Sequence, residues 1–163
     1  MKAWRIGLLC FFAAIVGSIS VCEPAWLAKN GFLLNLMTHE LLGLLVVILT
    51  ITFASVANIH LAISRMVSRA ANRSAAGAAA NSVRREINSN AWTIFAAFLV
   101  ALASLVLKGA FQDNDHVVAV AHAVGLTVIA LNVLVLHDIY RSIFGLAAAD
   151  TALDQSEDAP STH

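Results

Sequence analysis

The chain alternates long uncharged apolar runs with short polar breaks. The longest run lies between Glu40 and Arg65, where 24 consecutive residues carry no charge. At about 1.5 Å per residue such a helix is about 36 Å long, more than the roughly 30 Å hydrocarbon core of a bilayer. Three shorter uncharged runs, of 17, 17 and 20 residues, fall within the about 17–25 residues of a spanning helix: Ile6 to Cys22, Ala91 to Leu107 and Val117 to Leu136. The pattern predicts an all-α polytopic membrane protein with four transmembrane helices over about residues 5–22, 38–66, 90–108 and 116–144. Together they make one transmembrane domain spanning 1–149. The second run, with His39 and His60 near its ends, reads as the segment around which the others are arranged.

The breaks sort by charge. Glu23 to Thr38 is apolar but interrupted by Pro24, Lys29, Asn30 and Gly31, with Trp26 and Lys29 suited to a membrane–water boundary. It reads as a short interfacial segment. In the basic loop 65–90 the second helix is expected to continue past Ser64 with Arg65, Arg69 and Arg73 on one helical face, before the small-residue stretch Ala75 to Ser82 breaks the pattern; with Arg84 and Arg85 the loop holds five arginines against one acid, Glu86. Lys108 to Asp115 is a tight polar turn. Residues 150–163 carry four acids and no Lys or Arg, too little apolar surface to fold, and are expected to form a disordered acidic tail.

Composition agrees. Only 12% of the 163 residues are charged, about half the usual share of a soluble domain, and mean hydropathy is +0.80. Net charge is zero, yet Lys2, Arg5, the five loop arginines and Arg141 would all lie on one side of the membrane, leaving only Lys29 and Lys108 on the other. The positive-inside rule then places both termini in the cytoplasm, N-in and C-in, in the cell's inner (plasma) membrane. The arginine series would meet anionic lipid or an acidic partner, or serve only as a topology signal. No nucleic-acid partner is expected.

The first run has two readings. A basic start and an apolar centre suit a signal peptide with Ser18 or Ser20 near the cleavage site. The length of the run, and small residues four apart at Ala13/Gly17 and Ala14/Ser18, favour a retained helix. Cys10 and Cys22 are too far apart on one helix to bridge and are expected as free, buried thiols.

Chemistry-bearing residues are few. None of the four runs contains Asp, Glu, Lys or Arg, which argues against an ion-coupled transporter. No phosphate loop, zinc spacing or nucleophile with an adjacent base occurs, so no catalytic residue and no metal site is assigned. Asn58 and Asn132, in apolar helices, are expected to bond across to neighbouring helices. Histidine is the remaining signal. His39 and His60 are 21 residues apart, as are His116 and His137, on two helices that run the same way. His39/His116 and His60/His137 would therefore form two levels, the arrangement that ligates two b-type haems, with His122 as a further candidate ligand. Against this, 21 residues span about 31 Å, the two histidines of a helix are about 60° out of line, and an imidazole is at ease at a membrane interface.

Three function classes remain. The first is a non-catalytic subunit, without a cofactor, that oligomerises or docks on a membrane partner through its small-residue faces (Ala97/Ala101, Ala119/Ala123 and Ala121/Gly125 as well as those above). The second is a haem b electron-transfer subunit, and the third an oligomeric channel.

Overall fold

The computed structural model describes residues 3–69 and 73–157. Six helices are present: α1 (Ala3–Cys22), α2 (Pro24–Ala28), α3 (Gly31–Leu36), α4 (His39–Arg69), α5 (Arg73–Ala110) and α6 (Asp115–Glu157). Four of them, α1, α4, α5 and α6, contain stretches long and apolar enough to cross a membrane.

Local chemistry sets the boundaries. Pro24 opens α2 at a position where its missing N–H costs nothing. Asn30 caps α3 by accepting from the Leu33 amide at 3.1 Å, and Thr38 accepts from the Glu40 amide at the start of α4. Asn114 accepts from the amides of both His116 and Val117, which fixes the start of α6 after the turn Phe111–Asp113.

Two differences from the sequence reading concern helix length. In the basic loop 65–90 the continuation of the second helix past Ser64 is present, with α4 running to Arg69, but the break expected at Ala75 to Ser82 is not, because α5 begins at Arg73 and runs through it. Alanine removes the amphipathic pattern but is the strongest helix former, so Ala75 to Ser82 extends a helix where periodicity alone suggests a break. Likewise α6 continues to Glu157, through the first eight residues of the expected tail. Alanine, leucine and glutamate there extend a helix already nucleated, which avoids the main cost of helix formation. Residues 158–163 of that tail lie outside the described residues.

The centre of the molecule is α6. Of its apolar stretch 44% is buried, against 22% for α4 and 17% each for α1 and α5. It packs on α1, α2 and α5 and touches α4, whereas α4 packs mainly on α5. The longest apolar run is thus peripheral. Bulky leucines and isoleucines hold neighbours at a distance, and small residues let three elements reach α6 at once.

Two core regions stack along the helices. At the end bearing the arginines, Val56, Ile59 and Ile63 of α4 meet Ile87, Ala91 and Ile94 of α5 and Val135 and Ile139 of α6. At the other end Leu41 and Leu45 meet Ala97, Ala101 and Val128, with Leu33 and Met37 of the α2–α3 segment filling the top. This segment is more than interfacial: Ala28 is buried against Val118 and Ala119, and the Met37 thioether lies where a side chain on Gly125 would point. Ala119 and Gly125 of α6 are therefore covered inside the chain, by Ala28 and Met37.

Candidate functional site: a lateral groove between two polar layers

Polar side chains are buried at both ends of α6, and an apolar groove opens between them. At the arginine end, Arg5 on the first turn of α1 reaches the Asp138 carboxylate on α6, and their side chains are only 3% and 14% exposed. Glu86, Arg141 and Ser142 join them around a cavity of about 170 Å³. Arg5 and Asp138 are the desolvated pair, whereas Glu86 and Arg141 at the rim are exposed. On the adjacent surface Arg84 donates to Ser64 Oγ at 2.8 Å, tying α5 to α4.

At the opposite end, the bundle holds the α2–α3 segment by its backbone. His122 is fully buried on α6, and its Nδ1 lies 2.7 Å from the carbonyl oxygen of Leu27 in α2. That carbonyl can only accept, so Nδ1 carries the proton and Nε2 is left as a buried lone pair with no partner. From α5, Lys108 donates to the Met37 carbonyl at 2.9 Å, and outside them Lys29 pairs with Asp115 at 2.9 Å.

Between these layers, α1 and α5 each lie against α6 and leave a groove of about 640 Å³. Its floor is Val120, Ala123, Val124 and Thr127, with Ala13 and Gly17 on one wall and Thr93, Ala96 and Val100 on the other. The hydroxyls facing it are already satisfied: Ser20, Thr93 and Thr127 each donate at 2.8 Å to a backbone carbonyl one turn back. The groove therefore presents small, apolar surface.

The four histidines expected in pairs lie mostly at the surface. His39 and His116 begin α4 and α6 at the same end of the bundle and are exposed, His137 is exposed, and His60 is half-buried. The histidine enclosed by the fold is His122. Among the described residues no three His, Cys, Asp or Glu side chains come together as a metal-binding group. Asn132 is buried but bonds within its own helix, to the Val128 carbonyl at 2.8 Å, and Asn58 is exposed. Both cysteines are free and lie exposed on the outer surface of α1 rather than buried. Of the arginine series, Arg65, Arg69 and Arg85 are exposed and Arg84 half-buried, and Arg73 opens α5.

Sequence reasoning missed Arg5–Asp138 and Lys108. Opposite charges at matching depth on antiparallel spans would have indicated the first. The second needed the path of α2–α3, which the sequence does not draw. Compared with known proteins, the chain matches no family model, no curated protein and no solved structure.

Proposed function

We propose that this small integral membrane protein is a non-catalytic subunit that docks on a membrane partner, receiving an apolar transmembrane helix of that partner in the α1/α5 groove. One observation carries the reading: a groove of about 640 Å³ lined by Ala, Gly, Val and Thr, with its hydroxyls internally bonded. Membrane helices associate by close van der Waals contact because lipid supplies no hydrophobic drive between them, and small residues permit that approach. On α6, Ala119 and Gly125 are covered by Ala28 and Met37, whereas Ala123 joins Ala13 and Gly17 of α1 in the groove, the small-residue surface open to a partner. The basic end, with Arg65, Arg69, Arg84 and Arg85 beside it, would sit on the cytoplasmic face against anionic lipid headgroups.

The test is a photo-crosslinking amino acid at Ala96, on the groove wall, with one at Val47 on the exposed face of α4 as control. A discrete protein adduct from position 96 and none from 47 is the expected result in native membranes. An adduct of twice the chain mass makes the partner a second copy. Equal adducts at both sites, or lipid adducts alone, remove the proposal. Two other readings predict different signals: haem on His39, His60, His116 and His137 gives a reduced-minus-oxidised absorption band in the purified protein, and a channel gives ion flux in liposomes.

A further inference from the structure

The α2–α3 segment is attached to the bundle through two backbone carbonyls, each held by a basic side chain: Leu27 by His122 and Met37 by Lys108. Its apolar contacts are tight, with Met37 1% and Ala28 4% exposed, so the attachment has one closed geometry. In that geometry the His122 ring has room for one proton. Nδ1–H donates to Leu27, while Nε2 faces protein atoms that offer it no partner. A second proton would place an N–H without an acceptor, and a full charge, in a fully enclosed site.

We infer that His122 is a proton-binding site that latches the α2–α3 cap: the segment is closed over His122 with one proton on the ring and released when the second binds. On α5 the charged group at this level is Lys108, which donates to the Met37 carbonyl. From the other elements at this level, α2 is flanked by Glu23 and by Lys29, the latter already paired with Asp115. His39 and Glu40 begin α4, Cys22 ends α1, and His116 lies on α6 itself, all four exposed. None of these supplies an acceptor to Nε2. Water becomes that acceptor only when α2 lifts away. The sign follows from linkage: the open state binds one more proton than the closed state, so acid favours opening.

Hydrogen–deuterium exchange of residues 24–37, on the full chain in lipid nanodiscs and corrected for the intrinsic pH dependence of exchange, reads the latch directly. Protection is expected to fall on acidification, with a limiting slope of about tenfold per pH unit, the signature of one proton. In His122→Asn, whose amide can still donate to Leu27, protection of the segment is expected to be independent of pH. His122→Gln serves the same purpose should the Asn chain fail to fold. His116→Ala and His39→Ala are expected to respond as the parent does. A parent whose corrected protection does not change with pH overturns the inference. So does a His122 variant with the parent's slope, or loss of the response in a His116 or His39 variant.

Discussion

Thr52 Oγ1 and Asn132 Oδ1 are both buried without a hydrogen-bond partner. Thr52 is 1% exposed and Asn132 2%, and the Asn132 amide nitrogen spends its donor on its own helix. Such groups contribute desolvation cost without a bond across the core, so apolar replacements of the same shape are expected to be tolerated. Thr52→Val and Asn132→Leu should each leave the thermal midpoint in detergent unchanged or raised, within about 1 kcal/mol for the threonine change. A loss well beyond that would mean these atoms make a hydrogen bond within the bundle. Polarity at these positions was legible in the sequence. The direction of each bond was not, because a helix can satisfy a side chain from its own backbone as readily as from a neighbour.

At the scale of elements, α1 is joined to α6 by two different means. Val16 and Ser20 are buried along its length, and Arg5 meets Asp138 at its start. Breaking a buried ion pair leaves an uncompensated charge and typically costs about 3–5 kcal/mol, whereas replacing both partners with apolar residues is often neutral. Asp138 makes a further interaction beyond Arg5, so the two single changes should not be equal. Asp138→Leu strands Arg5 and is expected to lower stability by about 3 kcal/mol. Arg5→Met should cost less, and the double change Arg5→Met/Asp138→Leu should recover most of the loss of the aspartate change alone. A double-mutant cycle followed by thermal unfolding measures this, and additive losses would show that the pair does not act as a clasp.

For the whole molecule, the ends of the helices sort by charge. Arg5, Arg65, Arg69, Arg84, Arg85 and Arg141 lie at the end where α4 finishes and α5 begins, and Lys29 and Lys108 at the end with α2 and α3. The positive-inside rule predicts that the first end faces the cytoplasm. In a chain with Cys10 and Cys22 changed to alanine, a cysteine at Phe111 is expected to react with an impermeant maleimide in intact cells. One at Ser82 should react only after permeabilisation. The reverse labelling would invert the topology and place the His122 latch on the cytoplasmic side.

By itself the sequence determined the class of the protein, the four spans and the segregation of charge. These follow from one-dimensional quantities: the length of uncharged runs against bilayer thickness, and the order of basic residues around them. Only the tertiary structure decided that α6, not the longer uncharged run in α4, is central. It also decided that His122, rather than the four evenly spaced histidines, is the enclosed one, and that α1 and α5 part to leave a groove. The reason is physical. In lipid every apolar span is equally soluble, so hydrophobicity does not say which helix lies inside. Contact does, and it depends on how small residues from distant parts of the chain fit together in space.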